Sequence, residues 1–309
     1  MITTIFKKST PINYSLVVIL LLLFFFLFQI NDTKSSDLHT NSYQTVVLLV
    51  LLLASLFISN FIVKKNVLTK NSSYTLLFFF LFLLFFPSLF KNTSLIFASF
   101  FILLAMRRLI SLQTLKAPKE KIFDASLWIF VASLFHFWAV LFIALVYISI
   151  FFHVSRDYRN WLLPFVAFFT TLVIFITYAL IFDKVVIGSY LENAVVHFEI
   201  DYFTNTFQNL SLSIFTVFAV FFLFSAVFSL TNKPLNLQAS YKKLIFAVII
   251  GITIFIFSPN KNSDILVFTF FPLSVMATNV IEYSQFKLRN EIILGASIVA
   301  GFFCFFSQL

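Results

Sequence analysis

The chain has 309 residues, 61% of them hydrophobic and only 11% charged, with a mean hydropathy of +1.02 and a formal net charge of +9. Soluble domains are about 45–50% apolar and about 25% charged, and a water-soluble fold cannot hide the surplus. This composition excludes a soluble enzyme, a disordered chain and a nucleic-acid-binding domain, so no nucleic-acid partner is expected; the lone Cys304 excludes an internal disulfide and a cysteine-rich metal site. What remains is an all-α class, a polytopic bundle of transmembrane helices forming one integral membrane domain over residues 1–309. The apolar runs are continuous, where a barrel would alternate. In that setting basic residues are topology signals first. Phe, at 49 residues, has AT-rich codons like Ile, Lys and Asn, and the runs Phe24–Phe26 and Phe78–Phe80 read as bilayer filler.

Crossing the hydrocarbon core takes about 20 apolar residues. Spans are predicted at 14–30, 45–63, 74–90 and 93–110. Lys7 and Lys8 precede the first as in a secretory leader. That run ends in Gln29-Ile30-Asn31-Asp32 without a small-residue cleavage site, so it reads as a retained helix. A longer apolar stretch follows, Ala125 to Phe152. As one helix it would divide the basic residues twelve inside to nine outside, counted from a cytoplasmic N-terminus. If it turns back at Phe135-His136-Phe137-Trp138 the division becomes seventeen to four, which the positive-inside rule favours. Each arm then has about 12–14 residues and rises about 20 Å. Such short arms need cover from the rest of the bundle. Further spans at 161–182, 209–230, 243–258, 264–281 and 291–308 bring the total to about 11 membrane segments, including the short hairpin at 125–152. The expected location is a bacterial inner membrane, with the N-terminus cytoplasmic and the C-terminus periplasmic.

Polar residues that could carry chemistry are few. Asp32 and Asp37 follow the first span in a polar loop, where a carboxylate could serve as a general base on a lipid-linked substrate. His136 lies at the hairpin turn in apolar surroundings and needs a hydrogen-bond partner there; His39 and His153 fall in solvated loops. Between Asp183 and Asn209 the chain carries Asp183, Glu192, Glu199 and Asp201, and Leu191, Val195, Phe198 and Tyr202 recur at helical spacing, which predicts a short helix on the outer surface. His197 and Asp201 share its face but are too few to define a metal site. Arg107, Arg108, Arg156 and Arg159 flank cytoplasmic helix ends, where they fix orientation and meet lipid headgroups or phosphates. In the last span Ala296/Ala300 and Ser297/Gly301 form two pairs of small residues four apart, which permit close helix approach within the chain or to another membrane protein. No charge falls in the middle of a predicted span, and no P-loop, dinucleotide fingerprint or paired-His zinc motif occurs. Neither a metal nor a cofactor is expected.

The segments Ile122-Phe123-Asp124-Ala125, Ala132-Ser133-Leu134-Phe135 and Arg156-Asp157-Tyr158-Arg159-Asn160-Trp161 resemble an uncharacterised family of Bacteroidota polytopic inner-membrane proteins. The order of short hairpin, basic turn and long helix is also similar to the C-fold membrane glycosyltransferases. That resemblance implies an undecaprenyl-phosphate-linked sugar as donor, Asp32 or Asp37 as the acid of the first outside loop, and His136 near the lipid phosphate. The loop Asn31–Gln44 departs from it, being too short for the amphipathic helices that family carries there. The leading expectation is a non-catalytic membrane subunit of an envelope assembly, with the glycosyltransferase as alternative and a lipid or solute transporter as a third.

Overall fold

A computed structural model describes residues 2–35, 42–182, 185–192, 194–196, 206–259, 261–284 and 286–309. All regular structure among them is helical. In chain order the α-helices are α1 (Ile2–Phe6), α2 (Pro11–Ser35), α3 (Ser42–Lys65), α4 (Tyr74–Phe85), α5 (Thr93–Ser111), α6 (Pro118–Phe135), α7 (Ile143–His153), α8 (Arg159–Ile181), α9 (Val185–Glu192), α10 (Thr206–Ser229), α11 (Leu235–Phe257), α12 (Val267–Tyr283) and α13 (Lys287–Ser307). Short 3-10 turns follow α4 at Pro87–Phe90, precede α7 at Phe137–Phe142 and precede α12 at Ser263–Leu266. Among the described residues, eight helical stretches are long and apolar enough to cross a membrane: those holding α2, α3, α5, α8, α10, α11, α12 and α13. In apolar surroundings buried hydroxyls bond back to their own helices: Ser126 to the Ile122 carbonyl, Ser149 to Leu145 and Thr171 to Ala167.

The chain forms two compact units, each interrupted in sequence. One comprises Met1–Ile96, Phe203–Asn232 and Phe270–Leu309; the other comprises Phe97–Tyr202 and Lys233–Thr269.

In the first unit α4 is the central element. It is apolar on every side and every one of its residues is buried, as expected of a helix hydrophobic all round. It packs against α2, α3, α10 and α13. Its aromatic rings interlock edge-to-face with those of α10: Phe82 with Phe215 at 5.7 Å and Phe78 with Phe222 at 5.7 Å. The Phe78–Phe80 run is therefore packed core and not bilayer filler, because a helix of 12 residues needs cover from its neighbours. Of the earlier run, Phe24 and Phe25 are buried and only Phe26 is exposed. The helix stops where Pro87 disfavours a helical Phe86 (φ −132°, ψ 77°).

In the second unit α6 and α8 pack side by side and α7 contacts both. The long apolar stretch is not one helix. Its α-helical path ends at Phe135, His136 is extended (φ −144°, ψ 105°), and the chain resumes through a 3-10 turn into α7. The break falls inside the predicted turn. The arms are longer than the apolar pattern suggests, because α6 begins at Pro118, whose ring suits the first helical position, and its opening Lys-Glu-Lys turn is polar. Consequently the tip does not stop halfway. Phe135 stacks on Phe97, one turn into α5, at 5.0 Å, and Trp138 meets Phe257, the last residue of α11, at 5.4 Å. Of the residues on which a short surface helix is predicted, Phe198 and Tyr202 lie outside the described residues, and helix α9 ends at Glu192.

Candidate functional site

A group of polar residues in the first unit surrounds a cavity of about 490 Å³. It is built where α1, the segment entering α4, the end of α12 and the start of α13 converge. The phenol of Tyr74 donates to the Thr3 carbonyl at 2.5 Å, and the Thr3 hydroxyl donates to Glu291 Oε1 at 2.5 Å. Opposite, both oxygens of Glu282 are engaged: Oε1 by the Ser72 hydroxyl at 2.5 Å and Oε2 by the Lys70 amide at 2.7 Å. The Lys70 ammonium donates to the Glu282 carbonyl at 3.1 Å and lies 4.8 Å from the centre of the Tyr283 ring. Asn290 turns its amide donors to the Ile281 and Ser284 carbonyls, which leaves its buried Oδ1 without a partner. Lys7 and Lys287 complete the lining, both exposed.

A group of basic residues in the second unit is drawn together around α6. Arg108 pairs with Asp124 at 2.7 Å and Lys119 with Asp157 at 3.3 Å, so the first turns of α6 tie together the end of α5 and the loop before α8. The Arg159 amide donates to Asp157 and, with Lys119 beside it, holds that carboxyl below the usual carboxylate range. Lys243 is fully buried, and its ammonium donates to the Leu109 carbonyl at 2.6 Å. Lys121 donates to the Ser111 carbonyl at 2.8 Å. Two cations thus close the negative end of α5.

The predicted site residues fall as follows. Asp32 lies within α2 and not in a loop, because the helix continues to Ser35; Asp37 lies outside the described residues, as do His39, Asp183, His197, Glu199 and Asp201. His136 is at the hairpin tip as expected, but its Nε2 is buried without a partner, as is the Trp138 Nε1 beside it. His153 is not in a solvated loop: it ends α7, partly buried, with Nδ1 unpartnered. Arg107, Arg108, Arg156 and Arg159 all belong to the second unit, Arg156 and Arg159 being exposed there. On α13, Ser297 and Gly301 are buried, and a Cβ on Gly301 would meet Leu81 of α4 at 3.5 Å. Ala296 is exposed, and nothing lies within 4 Å of a Cβ on Gly295. The expected absence of charge within spans fails at Lys243, since α11 starts at Leu235 and not at 243. The cavity went unseen because its walls come from residues up to 288 apart in the chain. Among the described residues, no group of three or more His, Cys, Asp or Glu comes together to hold a metal ion.

The chain belongs to DUF6427, a family of unknown function that matches it over residues 1–309. Neither a curated protein nor a solved structure gave a match.

Proposed function

We propose that this DUF6427 protein is a multi-pass subunit of the bacterial inner membrane that joins an envelope assembly through its last helix. This reading counts the shorter α4, α6 and α7 with the eight long helical stretches, for eleven membrane segments. An odd number sets the termini on opposite sides. The positive-inside count supports a cytoplasmic N-terminus and a periplasmic C-terminus.

The observation that carries the reading is the division of labour on α13. Ser297 and Gly301 are spent on packing within the chain, the glycine against α4. The other small pair, Ala296 and Ala300, lies along the side bearing Ile292, Val299 and Phe303, all exposed. Small residues let a second transmembrane helix approach the backbone closely, and between helices in lipid that packing is the main attraction. The occupant we assign is a helix of another envelope protein.

A photo-crosslinking residue placed at Ile292 or Val299 tests this in intact cells. The expected result is a discrete adduct of a size other than twice this chain, abolished by Ala296→Leu with Ala300→Leu. A crosslinker at Val173, on the exposed face of α8, serves as control. No adduct from α13, or an equal one from Val173, would overturn the reading.

A further inference from the structure

The cavity of the first unit presents charges of both signs that the protein leaves incompletely used. Lys7 and Lys287 stand exposed on its lining, and neither side chain forms a hydrogen bond or ion pair with a described residue. Glu291, also on the lining, accepts from the Thr3 hydroxyl at Oε1, which leaves the second oxygen of its carboxylate for a ligand. A ligand that brings an anion to the two lysines and an ammonium to the Glu291 carboxylate would satisfy charges of both signs. The volume of about 490 Å³ is that of a small-molecule site. Large apolar side chains flank the charged ones in the chain: Ile5 beside Lys7, and Phe286 and Leu288 on either side of Lys287, all exposed. That is the surface acyl chains require. Lys64 and Lys65 end α3 at the same end of the unit, where the Lys64 ammonium reaches the Ser9 hydroxyl at 2.6 Å, so the surroundings are those of a headgroup layer.

We propose that this cavity binds the headgroup of a zwitterionic aminophospholipid. The phosphate lies between Lys7 and Lys287, the ammonium bonds to the Glu291 carboxylate, and the acyl chains run over Ile5, Phe286 and Leu288. A simple basic patch would prefer an anionic lipid; this arrangement prefers phosphatidylethanolamine over both phosphatidylglycerol, which lacks the ammonium, and phosphatidylcholine, whose quaternary nitrogen donates no hydrogen bond.

The test is lipid binding to the delipidated full chain in detergent, followed by native mass spectrometry with each of these three lipids. Phosphatidylethanolamine is expected to bind tightest. Glu291→Gln keeps the bond from Thr3 but removes the charge, and should weaken phosphatidylethanolamine by about tenfold while leaving phosphatidylglycerol unchanged. Lys7→Gln with Lys287→Gln should weaken both. These side chains are at the surface, and an unchanged melting temperature verifies the fold of each variant. Phosphatidylglycerol binding as tightly as phosphatidylethanolamine, or Glu291→Gln without effect on the latter, would overturn the proposal. So would soluble glycerophosphoethanolamine binding where the lipid does not, since the ligand would then be a metabolite and not a lipid.

Discussion

Lys243 and His136 are both polar groups set into apolar helices, yet the fold treats them oppositely. The Lys243 side chain is completely enclosed, and its ammonium is held by the Leu109 carbonyl in the last turn of α5, where the helix leaves carbonyls without internal partners. The negative end of the helix supplies the field that a carboxylate would otherwise provide. Lys243→Met should strand that buried carbonyl and cost about 1–3 kcal/mol, read as a lower unfolding midpoint in detergent. Lys242→Met is the control: its exposed ammonium only overlies the Phe152 ring at 5.6 Å and should matter much less. His136 has nothing to lose, because its Nε2 makes no bond. We expect His136→Leu to leave the midpoint unchanged or raise it, whereas a fall would show that the nitrogen has a partner in the membrane. The sequence pointed to His136 because it stands alone in an apolar run. It concealed Lys243 because a charge at the edge of a hydrophobic window looks like a flanking charge. Only the earlier start of α11, through the polar Asn236, Gln238 and Ser240, puts it inside.

At the scale of elements, contact between α11 and the first turn of α12 depends on one glycine. A Cβ on Gly251 would stand 2.6 Å from the Thr269 Cγ2, closer than carbon atoms tolerate. Thr269 is buried and its hydroxyl is committed to the Leu266 carbonyl at 2.6 Å, so it cannot swing aside freely. Gly251→Ala should cost about 1–3 kcal/mol by overpacking. Thr269→Ser removes the methyl but keeps the hydroxyl, and should restore most of the loss; a double-mutant cycle with no coupling would place the clash elsewhere. Hydropathy cannot foresee such a contact, since glycine in an apolar helix has several uses. What hydropathy and charge did foresee is the break at Phe135–Trp138, because two membrane passes and one leave the following basic residues on opposite sides. They misjudged the arms because Lys119, Glu120 and Lys121 look like loop, although Pro118 opens a helix there. The cavity was illegible for a different reason: Thr3, Ser72, Glu282 and Glu291 are unremarkable singly and acquire meaning only where four distant segments meet.

For the molecule as a whole, the hairpin decides on which side of the membrane everything after it lies. Were residues 119 to 157 one continuous helix, their ends would stand about 57 Å apart at 1.5 Å per residue. The Lys119 ammonium instead lies 3.3 Å from the Asp157 carboxylate, so the chain leaves the hairpin at the level where it entered. In the first unit Lys7 and Lys287 line one cavity, although a single helix at 125–152 would have set them on opposite faces of the membrane. Asn31 and the Leu309 carbonyl are bonded to each other at the far ends of α2 and α13. These pairs can be read in cells with single cysteines in a Cys304→Ala background. The native thiol is buried, and its loss should be mild. Lys119→Cys and Asp157→Cys are expected to react alike with an impermeant thiol reagent, as are Lys7→Cys and Lys287→Cys, all four being protected until the membrane is opened. Lys91→Cys, beyond the end of α4, should react without opening it. Lys119→Cys protected while Asp157→Cys reacts would mean that the stretch crosses once, and the eleven-segment topology would fall with it.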